Sequence, residues 1–449
     1  MKKEIKLLLL VCTAFAVFAA FAALAACRPT VDLTPVDSSD GKKDGHTYLT
    51  ASDSYADIFK TFWQGMDVNY VYWDVEPTGY WDEVWNKDKP LFEALGDYNV
   101  ADTSPEAQAQ ITTARKYIRE MVYPLHDGHL RVRFEYYSPL DPPPNYSPTK
   151  PRTYSPTKTK VEARHPPNAD PADTFYWTDT SGDMNNNFWS RTVSHYMTGT
   201  TLTATVEGDD PIRMATGAID VPGGHIRYLY FSAFEINSNV DDAAVHAIRT
   251  AYWDGIDNPA CKGVIFDLRG NTGGSNIDIP LLLSPLLTSD LTFAHERLKK
   301  GAARLDYMPW VPYILKAAKT GSIWMSPNAG KIPVVALVND YSISCGELMP
   351  MAIKAMPKGR IIGTRTWGAT GPRNGNETPL YTHGGSFTHN KLWTQVVQAG
   401  YQTRGLHFEN YEGEGVLPDD GEVPFDLVKF TAGEDVQLQA AIDYVKSEE

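Results

Sequence analysis

The run Gly263-Val264-Ile265-Phe266-Asp267-Leu268-Arg269-Gly270-Asn271-Thr272-Gly273-Gly274-Ser275 decides the fold. Its first five residues form a short apolar segment that ends in a glycine-rich turn, the pattern of a strand buried on both faces. The glycines that follow let the backbone approach a ligand closely and leave N–H groups exposed. The spacing fits neither the phosphate-loop nor the dinucleotide-binding pattern, so no nucleotide is expected there. Downstream, Val334-Val-Ala-Leu-Val338 and Arg360-Ile-Ile-Gly363 read as further strands, with helices predicted over 277–287 and 346–355. Strand, helix, strand, helix, strand implies parallel βαβ units and an α/β class. Upstream, residues 218–221 and 226–230 flank Pro222-Gly223-Gly224 and predict a hairpin. A helix over 436–445 closes the region.

Three words around this frame carry chemistry. In Asn339-Asp340-Tyr341-Ser342-Ile343-Ser344-Cys345-Gly346-Glu347, Ser344 falls at a strand-to-helix turn. Free N–H groups and the helix dipole there suit a developing oxyanion. Ser344-x-x-Glu347 is equally a capping box. Leu125-His126-Asp127-Gly128-His129 leads into alternating Leu130, Val132 and Phe134, which places His129 at a strand start. Two histidines and an aspartate lack the further His or Cys cluster of a metal centre, so no metal is expected. Glu412-Gly413-Glu414-Gly415 puts acids on a flexible loop, either to orient a histidine or simply to face water.

Taken in order, these words resemble the tail-specific, or C-terminal processing, serine peptidases. The resemblance rests on Asp-Leu-Arg-Gly-Asn-x-Gly-Gly from Asp267, the Ser344/Glu347 word, Ile361-Ile-Gly-Thr-x-Thr-x-Gly368 and Glu412-Gly-x-Gly-Val-x-Pro-Asp419. It covers about 55–135 and 214–447. It implies a crotonase-like protease domain behind a helical N-terminal domain, with Ser344 as nucleophile and the backbone N–H groups of Gly274 and Cys345 as the oxyanion hole. One branch of the family uses a lysine in a Thr-x-Gly-Lys-Gly word. Here that position is Ala369, which turns the reading to the branch that resembles the tricorn core protease. There a histidine is the base and a late glutamate orients it. His129 and Glu412 match those positions, with Glu409 and Glu414 as near alternatives for the acid. Gly128 stands where that branch has a serine. Lys354 and Lys358 are the fallback bases, and Cys345 is a rival nucleophile. No organic cofactor is implied, and no Gly-Leu-Gly-Phe-type peptide-binding loop is found in 136–213.

The rest of the chain sets the context. Of 449 residues, 55 are acidic and 41 basic, a formal charge of −14 that argues against a nucleic-acid partner. Lys2, Lys3 and Lys6 precede an apolar run to Ala26, and Leu24-Ala25-Ala26-Cys27 resembles a bacterial lipoprotein box. The expected organisation is a signal peptide over 1–26, Cys27 lipidated, a flexible tether over 27–52, a helical domain over 53–135, a Pro-rich loop/β insert over 136–213 and the protease domain over 214–449. That places the protein on a membrane of the bacterial cell envelope, acting on proteins or peptides. The rivals are an inactive peptide-binding lipoprotein on the same scaffold and an esterase. Cys261 and Cys345 are expected as buried free thiols, and Trp73, Trp81 and Trp85 as packing.

Overall fold

The computed structural model describes residues 47–49, 54–99, 102, 104–134, 152–164, 192–207, 211–301, 303–318, 324–373, 384–389 and 394–448. The expected signal peptide, Cys27, most of the tether and much of the 136–213 insert lie outside these residues. Among the described residues, no helix is long and apolar enough to cross a membrane.

In chain order the strands are β1 (Thr47–Leu49), β2 (Arg131–Phe134), β3 (Arg152–Tyr154), β4 (Thr198–Val206), β5 (Ile212–Val221), β6 (Gly224–Phe231), β7 (Cys261–Asp267), β8 (Leu291–Leu298), β9 (Val311–Leu315), β10 (Val334–Val338), β11 (Gly359–Gly363), β12 (Phe387–His389), β13 (Thr394–Val397) and β14 (Tyr401–Gly405). The helices are α1 (Tyr55–Asn69), α2 (Tyr80–Glu93), α3 (Pro105–Val122), α4 (Pro156–Arg164), α5 (Ala243–Asp257), α6 (Asp278–Leu283), α7 (Cys345–Lys354), α8 (Leu427–Thr431) and α9 (Val436–Ser447).

The central sheet runs β11-β10-β7-β6-β5-β4. β6, β7, β10 and β11 are parallel, as the βαβ reading requires, while β4–β5 and β5–β6 are antiparallel. Alternation along these strands sends side chains to opposite faces. Val264, Phe266, Val334, Ala336 and Val338 pack with residues of α5, α6 and α7 on one face. Ile265, Val335 and Leu337 pack with Leu438, Ala441, Ile442 and Val445 of α9 on the other. Both faces are covered, which is why these strands read as unbroken apolar runs. The two thiols are free and buried.

The three N-terminal helices pack around aromatic side chains. Trp63 and Trp81 stack at 6.2 Å, and each indole N–H donates to the other residue's carbonyl, at 2.7 and 3.0 Å. This core also takes in Leu130, Val132 and Phe134 of the β2 segment and Phe387, Val396 and Ala399 from late in the chain. A five-stranded sheet, β1-β12-β13-β2-β3, joins strands from before residue 155 to strands after residue 386. A third sheet, β14-β8-β9, completes the architecture.

Three local features differ from expectation. Thr47–Leu49, inside the expected tether, pairs in parallel with Phe387–His389. The stretch expected as a Pro-rich loop contains a helix: Ser155 accepts from Lys158 N–H at 3.2 Å and Pro156 opens the first turn. This is the start signal recognised at Ser104-Pro105, where Ser104 caps Ala107 N–H at 3.2 Å. The prolines flanking 156 hid it. The helix predicted over 277–287 ends at Leu283 and continues as a tighter 3₁₀ turn over Ser284–Leu286, because Pro285 cannot donate to an α-helical bond.

Candidate active site

The loops that follow β7 and β10 are tied to each other. Ser342 hydroxyl donates to Leu268 carbonyl at 2.7 Å, Ile343 N–H to Asn271 carbonyl at 2.9 Å, and Gly270 N–H to Asn339 Oδ1 at 2.9 Å. Below them Arg269 is fully buried, donating to both carboxylates of Asp267 and Asp435 and to Gln437. The arginine of the Asp-Leu-Arg-Gly word therefore holds the loop from beneath and does not face a substrate.

Ser344 emerges at the top of this arrangement as the residue before α7, with φ 59° and ψ −118°. A side chain at positive φ is strained, and such strain gathers where a residue must be presented. Gly273 lies directly against it: a Cβ on Gly273 would stand 2.6 Å from Ser344 Cβ and 3.1 Å from Cys345 N. A Cβ on Gly274 would meet the Phe234 carbonyl at 2.4 Å, so both glycines are required by close approach. Among the described residues, neither Gly274 N–H nor Cys345 N–H has a hydrogen-bond acceptor. The Cys345 thiol is buried, donates to Gly274 carbonyl at 3.2 Å, and is pushed up to about 12 by burial first and by Asp278 next. A thiol so held is a poor nucleophile.

The segment Thr366–Gly371 is clamped between two buried carboxylates. Glu347, one turn into α7, accepts from Ser344 N–H at 3.2 Å, Thr366 hydroxyl at 2.5 Å, Gly368 N–H at 2.7 Å and Ala369 N–H at 2.7 Å. Burial pushes Glu347 up to about 7 while these donors pull it down. Glu412 accepts from Gly128 N–H at 2.8 Å, Thr370 hydroxyl at 2.9 Å and Gly371 N–H at 2.8 Å, while the nearby Tyr72 hydroxyl donates to Tyr401 carbonyl at 3.2 Å. Ala369, at the position of the other branch's lysine, is a fully buried methyl packed with Val161, Ile343 and Trp367. The fallback bases are elsewhere: Lys354 pairs with Asp419 at 2.8 Å, and Lys358 reaches Glu448 carbonyl at 3.2 Å.

His129 is 5% exposed, and its N–H donates to Asp127 Oδ1 at 2.7 Å. A ring nitrogen of His129 and an oxygen each of Asp127 and Glu412 lie within 4.8 Å of one another. Among the described residues, His129 Nδ1 has no partner, and no hydrogen bond joins the ring to Glu412 or Ser344. Burial lowers the His129 pKa to about 3, with Arg373 and then Arg131 adding to the effect and a hydrogen bond to the Gly371 backbone opposing it. The ring is thus neutral, the state a general base requires. Glu412 is pushed well up by burial and next by Asp127. The three groups do not make a cation site as they stand, since backbone N–H groups point at both carboxylates: Asp127 Oδ2 takes Ala399 N–H at 2.8 Å, and Glu412 takes two. Of the alternative acids, Glu414 is exposed and faces Arg365 at 3.7 Å, while Glu409 accepts from His407 N–H at 2.9 Å.

The structure therefore brings Ser344, Gly274 and Cys345 together where the loops after β7 and β10 meet, and His129 and Glu412 into a second cluster, with Thr366–Gly371 between them. Sequence reasoning missed Thr370, which bonds Glu412, and the nearby Tyr72. Their hydroxyls carry no spacing signal, because the chain brings them in from Tyr72 and Thr370 separately.

Comparison with known proteins fits this geometry. Residues 225–419 match the model of Peptidase family S41. The Tricorn protease of Thermoplasma volcanium is 25% identical over 211 residues, 46% of this chain and 17% of that protein. The Carboxy-terminal processing protease CtpA of Bacillus subtilis is 28% identical over 117 residues, 26% of this chain and 21% of that protein. The chain thus spans less than a quarter of either relative. A solved structure from Parabacteroides merdae, of a candidate peptidase, superposes with a TM-score of 0.55 at 18% identity, covering 88% of this chain and 97% of that one, and so shares the fold. Residues 225–419 are thus similar to peptidase family S41, and the relatives they resemble include a C-terminal processing protease.

Proposed function

We propose that the protein hydrolyses peptide bonds of cell-envelope proteins or peptides through Ser344, His129 and Glu412. The observation that carries this reading is Ser344 itself. It sits at positive φ at the start of α7, beside two N–H groups that have no acceptor among the described residues. In the proposed reaction neutral His129 accepts the Ser344 proton as the hydroxyl oxygen attacks the scissile carbonyl. Gly274 and Cys345 N–H groups take up the oxyanion; removal of one such donor costs about 10²–10³ in rate. His129 returns the proton to the leaving amine, and water then hydrolyses the acyl-enzyme. Glu412 lies close enough to steady the imidazolium once the ring turns toward Ser344; such hydrogen bonds often tighten only when substrate binds. The envelope location and a lipid on Cys27 belong to the same proposal, supported by the Leu-Ala-Ala-Cys word.

A second reading, a peptide-binding lipoprotein without turnover, draws on the buried methyl of Ala369 and on the lack of a hydrogen bond between His129 and Ser344 among the described residues. Labelling of residues 28–449 with a fluorophosphonate decides between them. Labelling in the wild type that disappears in Ser344→Ala is the expected result. A folded wild type that takes no label would sink the hydrolase reading.

A further inference from the structure

The turn that carries the proposed base is gripped by three carboxylates. Asp127 takes the N–H of His129, and Glu412 takes that of Gly128. The third is Glu76, from the connection between α1 and α2. It is buried, accepts from His126 N–H at 2.9 Å through Oε1, and lies 3.0 Å from His126 Nδ1 through Oε2. Tyr70 hydroxyl donates to the same Oε1 at 2.5 Å and itself accepts from His126 N–H at 3.1 Å. Residue 126 is thus held by main chain and ring at once, which takes both oxygens of one carboxylate.

The carbonyl side of the turn is held by α4. Lys160 Nζ donates to Leu125 carbonyl at 2.9 Å, and Thr157 hydroxyl donates to Asp127 carbonyl at 3.3 Å. The loop of the acid rests on the same turn: a Cβ on Gly413, next to Glu412, would stand 2.7 Å from His126 carbonyl oxygen and 3.0 Å from its Cα. A displacement of residue 126 therefore moves Gly128 and His129 along the chain and Glu412 across space. A misplacement of about 1 Å at reacting groups costs about 10²-fold in rate.

We infer that Glu76 and His126 form a positioning pair, which acts through the turn to present His129 to Ser344 and to seat the loop of Glu412. This rests on the reading of Ser344 as nucleophile and His129 as base. The His126 ring is half-buried and within reach of water, so the grip of the pair answers to pH. Its hydrogen bond to Glu76 favours a proton on the ring above the ordinary imidazole value, against the opposing effect of burial. The other charges that face the ring are Lys160 on α4, which opposes that proton, and Glu414 on the loop after Glu412, which favours it. Tyr70 adds a neutral hydroxyl. While the ring is protonated, the contact is an ion pair and strongest; as pH rises through the raised value it weakens to a neutral hydrogen bond. His129, neutral throughout that range, adds nothing to the change.

The test measures the rate at which a fluorophosphonate labels Ser344 in the full chain, held in detergent, for the wild type, Glu76→Ala, His126→Ala and Glu76→Gln. Glu76→Ala removes the main-chain and the ring contact together and should slow labelling about tenfold or more, each lost bond being worth about threefold or more. His126→Ala keeps the main-chain bond and should slow it about threefold. Glu76→Gln keeps the shape and can still meet a neutral ring, so it separates the charge of the pair from its packing. The ratio of wild-type to Glu76→Gln rates should be about threefold or more near pH 6 and fall toward one near pH 9, on either side of the imidazole range. A merely structural role would leave that ratio flat. A flat ratio, or Glu76→Ala labelled at the wild-type rate, overturns the pair. If Glu76→Ala does not fold, His126→Ala and the Glu76→Gln ratio still decide. A labelled wild type whose rate ignores these substitutions sinks the pair alone, whereas an unlabelled wild type sinks the reading beneath it.

Discussion

Gly128 touches the backbone of Gly368: a Cβ at position 128 would stand 1.8 Å from the Gly368 carbonyl oxygen and 2.6 Å from Ala369 Cα. The serine that the tricorn-like branch carries at this position has no room here. Here Gly128's own N–H and the Thr370 hydroxyl hold Glu412 instead. Gly128→Ala must push backbone apart and should cost ~3 kcal/mol or more, the upper range for overpacking. Urea unfolding measures this; a loss under ~1 kcal/mol would show that the 366–371 segment gives way easily.

Ser344 is strained, so relieving it should stabilise. Ser344→Gly should raise the unfolding free energy by about 1 kcal/mol relative to Ser344→Ala, since glycine alone accepts φ near 59° without penalty. Both variants should fail to take the fluorophosphonate. Equal stability of the two would mean that the turn relaxes around alanine.

Thr370→Val removes a hydroxyl from Glu412 at nearly constant shape. A hydrogen bond of this kind is worth about 0.5–1.5 kcal/mol, so the rate of Ser344 labelling should fall about threefold or more. The fold should survive, because Gly128 and Gly371 N–H groups still hold the carboxylate. An unchanged labelling rate would place Glu412 outside the chemistry.

Acid should weaken the fold through His129. The folded protein refuses this proton down to about pH 3, while the unfolded chain accepts it near the ordinary value of 6.5. The resulting stability is complete above that ordinary value and is lost progressively as pH falls toward 3, a loss on the order of a few kcal/mol. His129→Gln should therefore lose less stability than the wild type between pH 7 and pH 4.5, measured by urea midpoints. Parallel losses in the two proteins would mean that the ring is not held neutral. For the same reason the labelling rate should show no inflection at the usual imidazole value.

Much of the α/β frame could be read from the chain because its strands are buried on both faces. Val264–Phe266 and Val334–Val338 are apolar at every position and end in turn residues, which leaves little choice of structure. The neighbouring α5 is polar along one face and begins at Asp242, whose side chain caps Ala244 and Val245; that start signal went unread between two strong strands. Ser344, Gly274 and Cys345 were legible as a group because each lies at a strand end within a motif. The partners of Glu412 were not, since a buried carboxylate collects donors from wherever the fold delivers them. Strands β12 and β13 gave no clear pattern either. They complete a sheet whose other members lie more than 200 residues earlier, so their side chains answer to the N-terminal core.

The bond from Gly128 N–H to Glu412 spans 284 residues. A ribosome making this chain releases the histidine early and the glutamate near the end. Until that glutamate arrives, the glycine N–H has no carboxylate and the 366–371 segment has only one of its two anchors. On the proposed reading, the catalytic arrangement is incomplete until this late segment is made.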